Sequence, residues 1–389
     1  MKRSFLFVPA ATALIAVTYG LVRLAYGLVL PDVQADLALG STGAGWISAG
    51  ASVMYCVGAV AGFLLASRHP RSLVVLAAAT AGIGSAGVAA SGNSAVFGAA
   101  AVLASAGAGL ASPALVRLVV RNTRADAVAR TQSIVNAGTG PGLVVAGVLA
   151  LVLLPEWRTA WVISAVCAFL AGAAVLWSDR AAPGAPSERP SLPSGDWWSR
   201  HRGLLLGALL LGAGSAAVWN SGRAVLIASG ADRTTSVLAW IALGLGGAAV
   251  IVTERWIGRR SPSRAWAVTA LGVVVGTLAL GVAPAVVPVA LVACVLFGWG
   301  YTAATGALIA WTSELDPEHA PSGTSMLFVT LVLGQALGAA AAGVVVDTAG
   351  YGVMFVLAAA VTAAGVVVPT LATRRAHPTR RAVRQDGLP

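Results

Sequence analysis

The sequence predicts an all-α membrane protein with 12 transmembrane helices, arranged as two pseudo-symmetric six-helix bundles with both termini in the cytoplasm. Three observations predict this fold: the composition, a series of long apolar runs, and a repeat between the two halves of the chain. Of 389 residues, 58% are hydrophobic and 10% are charged, whereas an ordinary soluble chain carries roughly 25% charged residues. So few charges cannot cover a soluble surface, and the same composition excludes a disordered chain.

Twelve apolar runs have about the length that a membrane-spanning helix needs, which is roughly 20 residues. They cover 5–30, 43–66, 73–91, 95–116, 131–154, 159–177, 203–229, 235–253, 265–283, 287–312, 323–346 and 352–371. The first run is too long for the apolar part of a signal peptide and is directly followed by a second, so we expect it to be retained.

The basic residues predict the orientation. With the N-terminus placed inside, 21 of the 25 Lys and Arg fall in inside loops or in the tail, and only Arg158 and Arg233 fall in outside loops. The positive-inside rule therefore predicts a multi-pass protein of the cytoplasmic membrane. The net charge of +11 is then a topology signal, with lipid headgroups as partners of the loops and no nucleic acid.

One connector divides the predicted spans into six and six. Residues 178–202 are rich in Pro, Ser and Arg, as is typical of a flexible linker. We expect an N-terminal bundle over 1–177, a cytoplasmic linker over 178–202, a C-terminal bundle over 203–372 and a basic cytoplasmic tail over 373–389. Trp197 and Trp198 are expected to mark the membrane interface before the seventh helix.

The two halves are related in sequence. At an offset of 200 residues, Tyr19 and Arg23 match Trp219 and Arg223. At an offset of 194 residues, further matches follow in the same order: Trp46-Ile47 with Trp240-Ile241, Gly140 with Gly334, Trp157 with Tyr351, and Trp161 with Phe355. A parallel repeat of six helices predicts two bundles around an axis along the membrane normal, with the substrate path between them.

Local motifs add a family resemblance. Four short motifs follow one another along the first half of the chain: Leu30-Pro31 with Ala35-Asp36-Leu37 and Gly45-Trp46, Ala106–Gly109 with Ser112-Pro113, Gly138–Pro141, and Trp157–Trp161. With the six-plus-six layout they resemble the major facilitator superfamily over nearly the whole chain. The loop Ser67–Arg71 departs from the family pattern because it lacks an acid, and Val144-Val145 stand where the family has Gly-Gly. These departures argue against assigning the chain to the drug–proton antiporters of that family.

Arg23 and Arg223 are the most informative residues of the sequence. Both lie within predicted spans, where an arginine costs about 2.5–3.5 kcal/mol on insertion scales. No Asp, Glu or Lys lies in the middle of any predicted span, and Asp32 follows Arg23 by nine residues, beyond the run that Pro31 ends. We therefore expect two positive charges without counter-charges and an anionic substrate as their partner. The resemblance implies the same, since helices 1 and 7 line the family's cavity and such arginines are similar to those of its organophosphate and organic-anion carriers.

Other polar and aromatic side chains are candidates for the same cavity. Tyr19, Arg23 and Tyr26 follow the i, i+4, i+7 spacing of one helix face, and Trp219 precedes Arg223 by one turn. An aromatic ring one turn away can hold a guanidinium by a cation–π contact. Further candidates for substrate binding are Asn220, Asn136 and Gln335.

Two alternatives stay open for these residues. The arginines can instead extend to the outer headgroups, since each lies in the outer third of its span, and Asn136 and Gln335 can serve interhelical hydrogen bonding. At the cytoplasmic end, the resemblance implies a gating charge clasp formed by Arg68, Arg71, Glu254 and Arg255, although simple topology charge accounts for them equally well.

The sequence thus predicts a secondary or facilitative transporter that moves a small organic anion by alternating access, with H⁺ or a counter-anion as possible co-substrate. The alternative is a proton-driven efflux antiporter for drugs or metabolites, in which the arginines are structural. A non-transporting membrane protein is a third class. No enzyme motif, cofactor or metal site is expected, the three cysteines lie in separate apolar runs, and the family default is a monomer.

Overall fold

The computed structural model describes residues 4–179 and 195–376, and within these ranges the chain is almost entirely helical. Among the described residues, eleven helices are long and apolar enough to cross a membrane. They are α1 Leu6–Leu37, α2 Ser41–Leu65, α3 Pro70–Ala89, α4 Ser94–Asn122, α5 Arg130–Leu153, α6 Trp157–Ser178, α7 Gly195–Ala228, α8 Arg233–Gly258, α9 Pro262–Val282, α10 Val287–Leu315 and α11 Ser322–Val367.

The last helix contains the eleventh and twelfth predicted spans. It is the apolar part of a continuous 57-residue element, Ala320–Ala376. Gly350 interrupts this element with φ 82° and ψ 172°, a backbone conformation that is open to glycine and strained for other residues. Both predicted spans are therefore helical, and the kink at Gly350 separates them.

Two predicted boundaries are wrong. The first span was expected to end at Pro31, but the helix continues through Pro31 to Leu37, so Asp32 is helical. The seventh span was expected to begin at 203, but the helix begins at Gly195. Residues 195–202 of the predicted linker are therefore helical, whereas 180–194 and the tail beyond 376 lie outside the described residues.

The earlier start of α7 changes the setting of two side chains. Trp197, expected at the membrane interface, is buried and stacks on His201 with ring centroids 4.0 Å apart. His201, expected in a polar connector, is also buried, and its Nε2 lies 3.0 Å from the hydroxyl of Thr312 on α10. These contacts fasten the start of α7 to its own half.

The two halves meet along three pairs of helices. The second part of α1 packs on α7, α2 packs on α11, and α5 packs on α8. Two glycines mark close approaches: a Cβ on Gly27 would lie 1.8 Å from the carbonyl oxygen of Trp219, and one on Gly45 would lie 2.5 Å from that of Ala339. Both glycines lie toward the predicted outer end, where the backbones of the two halves are in contact.

Ion pairs are distributed unevenly between the two ends. At the predicted cytoplasmic end, the buried carboxylate of Asp179 binds Arg71 and Arg121 within the first half, and Arg200 pairs with Asp316 within the second. Among the described residues, the ion pairs that join the two halves are those of Asp32 with α7 and α8, at the predicted outer end. The charged contacts therefore close the molecule at the outer end.

Candidate functional site

A distorted segment of α1 carries the first arginine. Residues Ala16–Leu24 form a π-helix rather than an α-helix, with the wider i→i+5 turn that occurs often at functional sites. Gly20 lies within it, and a Cβ there would be 2.5 Å from the backbone of Gly142 on α5. The close α1–α5 contact supports the wide turn that carries Arg23.

Arg23 bridges the two halves without meeting a carboxylate. Its Nη2 donates to Oε1 of Gln335 on α11 over 2.7 Å, and Nε2 of Gln335 donates to the hydroxyl of Tyr301 over 3.0 Å. The guanidinium carbon lies 4.6 Å from the ring centroid of Tyr55. No acid among the described residues pairs with Arg23, so its positive charge is held only by neutral groups.

The aromatic partner of Arg23 differs from the predicted one. The sequence offers Tyr19, one turn before Arg23, as an aromatic ring that can hold the guanidinium. The ring under Arg23 is instead Tyr55 of α2, and Tyr19 meets the Tyr55 hydroxyl at 3.0 Å. The physical reason is the π-helical turn, since residues four apart no longer lie directly above each other when each turn contains more residues.

A cavity between the two halves surrounds Arg23. It encloses about 560 Å³ of empty space, including the part that is open to solvent. Its walls come from α1, α2, α4, α6, α7 and α11, and its polar and aromatic lining residues are Arg23, Tyr26, Ser48, Ser52, Ser105, Trp161, Trp219, Asn220 and Gln335.

The structure brings together five of the eight predicted substrate-binding residues at this cavity: Arg23, Tyr26, Trp219, Asn220 and Gln335. Tyr19 is not among the residues that line the cavity, and its hydroxyl lies 3.0 Å from that of Tyr55. Asn136 does not line this cavity: its side chain is exposed and accepts a hydrogen bond from Gln132 on the first part of α5, and its expected role stays a prediction. The helix is interrupted just after it, before Thr139.

Arg223 has a different environment from its repeat partner. Its side chain is 1% exposed, and its Nη1 forms an ion pair with Asp32 of α1 and donates to the carbonyl of Leu28 over 2.7 Å. Its Nε donates to the hydroxyl of Ser236 over 3.1 Å. Arg233 lies 3.9 Å from the same carboxylate.

The expectation that both arginines lack a protein counter-charge is therefore wrong for Arg223. The cause is the continuation of α1 beyond Pro31, which places Asp32 on a helix that packs against α7. The burial of Arg223 between these helices also excludes extension of its side chain to the outer headgroups in this conformation.

Four lining residues were not singled out as site residues from the sequence. Ser48 donates to the side-chain oxygen of Asn220 over 2.6 Å and joins the halves, while Ser52, Ser105 and Trp161 come from α2, α4 and α6. Trp161 had a signal, because the repeat matches it with Phe355. The serines had none, since single serines are common in membrane helices.

The predicted gating residues lie at the predicted cytoplasmic end. Arg68, Glu254 and Arg255 are exposed and form no ion pair within the part of the chain that the structure describes. Arg71 pairs with Asp179 of its own half. A clasp across the two halves is thus not formed in this conformation, and a gating role for these residues stays a prediction.

Comparison with known proteins agrees with this architecture. The family model described as Major Facilitator Superfamily matches residues 12–330. The search of the curated proteins gave no match. Among solved structures, the chain is similar to the nucleoside transporter NupG, with a TM-score of 0.77 and 12% identity over 96% of this chain and 100% of that one.

Two further structures show the same fold. One is a bacterial homologue of the human lysosomal transporter Spinster, inward-facing and occupied, with a TM-score of 0.72 and 14% identity over 94% of this chain and 96% of that one. The other is the xylose transporter XylE from E. coli, partially occluded and inward open, with a TM-score of 0.72 and 13% identity over 94% and 97%. The chain is a multi-pass integral membrane protein that belongs to the Major Facilitator Superfamily, a family of transporters.

Proposed function

We propose that the protein is a secondary transporter that moves a small organic anion across the cytoplasmic membrane by alternating access. The observation that carries the proposal is Arg23, a cavity-lining cation that no acid among the described residues neutralises. A charge held at bilayer depth without a counter-ion is costly. An anion bound between the halves would offset that cost.

The position of Arg23 supports alternating access. Arg23 belongs to the first half and its hydrogen-bond partner Gln335 to the second, so an anion seated at Arg23 would contact both halves. Binding would thereby favour the conformation in which the halves close around the ligand, since a ligand shifts an equilibrium only through its different affinity for the two states.

The similar structures support transport of a small solute. The chemical class of that solute is inferred from the residues that line the cavity. Their names describe a nucleoside transporter and a xylose transporter. At 12–13% identity they share the fold with this chain. The anion assignment rests on Arg23 alone, because Asp32 already neutralises Arg223.

The test is thermal stability in detergent with a panel of carboxylates, phosphates, sulfonates and cationic amphipaths. A ligand at 100 times its Kd stabilises the fold by about 2.7 kcal/mol. We expect one anion class to stabilise the wild type and to lose this effect in Arg23→Gln. Arg124→Gln is the matched control, since that arginine is 87% exposed and does not line the cavity. Stabilisation of both proteins by cationic amphipaths, with none by anions, would instead establish the drug exporter.

A further inference from the structure

Resting on the proposed function, we infer the class of the anion: a hydroxylated monocarboxylate, of the kind represented by sugar acids. Its carboxylate would bind Arg23, and its hydroxyl groups would bind Ser52, Ser105 and Trp161. The first half of the molecule would then carry most of the polar recognition.

The charge of the site selects a monoanion. Arg23 is the single cationic side chain among the described residues that line the cavity. Arg223, the other arginine at this depth, is bound to Asp32 and does not line the cavity. A second carboxylate on the ligand would enter a buried site without a counter-charge, which is strongly unfavourable.

Four polar groups that line the cavity lack a hydrogen-bond partner in the described part of the protein: the hydroxyls of Ser52 and Ser105, and the indole Nε1 atoms of Trp161 and Trp219. The exposed fractions are 6% for Ser52, 4% for Ser105 and 3% for Trp161. The indole Nε1 of Trp161 is fully buried and unpaired. Since buried polar groups are normally paired, two unpaired indole N–H groups and two unpaired serine hydroxyls around one cavity favour a polar ligand.

The two serines differ from most buried hydroxyls of this chain. Thr18 and Ser164, for example, donate to the carbonyl oxygen four residues earlier in their helices, the usual way of satisfying a hydroxyl inside a helix. Ser52 and Ser105 also lie inside helices yet make no such bond within the described residues. Their hydroxyls are therefore available to a molecule in the cavity.

The chemistry of these groups favours hydroxyls on the ligand. Trp161 only donates, whereas a serine hydroxyl both donates and accepts. A ligand hydroxyl can satisfy either kind of group, but a bare hydrocarbon chain can satisfy neither. The indole of Trp219, which is 8% exposed, adds flat apolar surface on the opposite, second-half wall.

The experiment compares four probes of similar length in binding to the purified protein: gluconate, hexanoate, glucarate and sorbitol. We expect gluconate to bind most tightly of the four. Hexanoate lacks the hydroxyl groups, glucarate carries a second carboxylate, and sorbitol carries no carboxylate. Trp161→Phe keeps an aromatic ring and removes only the indole N–H. It should weaken gluconate binding by about three- to tenfold, the value of one hydrogen bond, as should Ser52→Ala and Ser105→Ala.

The melting temperature without ligand measures the integrity of each variant. The affinity for hexanoate should fall less than that for gluconate in the serine and tryptophan variants, because hexanoate has no hydroxyl to bind these groups. Equal, Arg23-dependent binding of gluconate and hexanoate would overturn this inference and leave the anion-transport proposal intact. Tighter binding of glucarate, or no binding of gluconate, would also overturn it. Binding of sorbitol as tight as that of gluconate, unchanged in Arg23→Gln, would overturn both proposals.

Discussion

The carboxylate of Asp32 on α1 is ion-paired with Arg223 on α7, and this pair joins the two halves of the transporter near its predicted outer end. The exposed fractions of the two side chains are 10% and 1%. Arg223 is the repeat partner of Arg23, yet only Arg23 lines the cavity. Two equivalent positions have thus diverged: one arginine is available to a substrate and the other fastens the halves together.

Asp32→Asn is expected to weaken the closed outer end, because it leaves the buried Arg223 without its counter-charge. Breaking a buried pair in this way costs about 3–5 kcal/mol. Hydrogen–deuterium exchange should rise in 25–37 and in the end of α7. Asp36→Asn is the control, since Asp36 is 44% exposed and pairs with Arg158 of its own half. Equal exchange in the two variants would contradict the role of the pair.

Gly27→Ala is expected to separate α1 from α7. The new Cβ would lie 1.8 Å from the carbonyl oxygen of Trp219, and a backbone atom cannot move aside as a flexible side chain can. The melting temperature in detergent should fall. Gly306→Ala is the control, because a Cβ there meets nothing within 4 Å and alanine favours a helix by up to about 1 kcal/mol. A fall of similar size in the control would contradict the close-contact explanation.

Tyr55→Leu is expected to weaken binding of the stabilising anion, whereas Tyr55→Phe should largely preserve it. Phenylalanine keeps the ring beneath Arg23 and removes only the hydroxyl that meets Tyr19. A cation–π contact contributes about 0.5–2 kcal/mol, which corresponds to roughly a threefold to thirtyfold change in Kd. Titration of both variants with the same anion measures this. Equal losses in the two would show that the hydroxyl, not the ring, positions Arg23.

Asp179→Asn is expected to destabilise the first half. The carboxylate is fully buried, pairs with Arg71 and Arg121, and accepts from Asn122 over 2.8 Å. Its neutralisation leaves two arginines of α3 and α4 without their shared acid. Because the side chain of Arg121 is 17% exposed and that of Arg71 is 52% exposed, a loss of about 1–3 kcal/mol is expected. Thermal unfolding in detergent measures it. Asp126→Asn should change little, because that acid is 71% exposed.

The sequence predicted the helical spans and the superfamily because these depend on local properties. Hydropathy and the length of each apolar run follow from residues close together in the chain. The repeat of Tyr19 and Arg23 at Trp219 and Arg223 likewise needs only one sequence. Boundaries at Pro31 and Gly195 were missed, because proline and polar residues weaken a helix locally whereas packing against other helices can sustain it.

The sequence by itself determined that two arginines lie within membrane-spanning helices and that an anion is the chemistry to test. Only the tertiary structure decided which arginine is available, because the Asp32–Arg223 pair joins residues 191 positions apart. It likewise placed Tyr55 under Arg23 and left Ser52, Ser105 and the indole Nε1 of Trp161 at the cavity without a partner among the described residues. The physical reason is that such partners depend on how each helix is rotated and where the halves touch, and neither is fixed by hydropathy or periodicity.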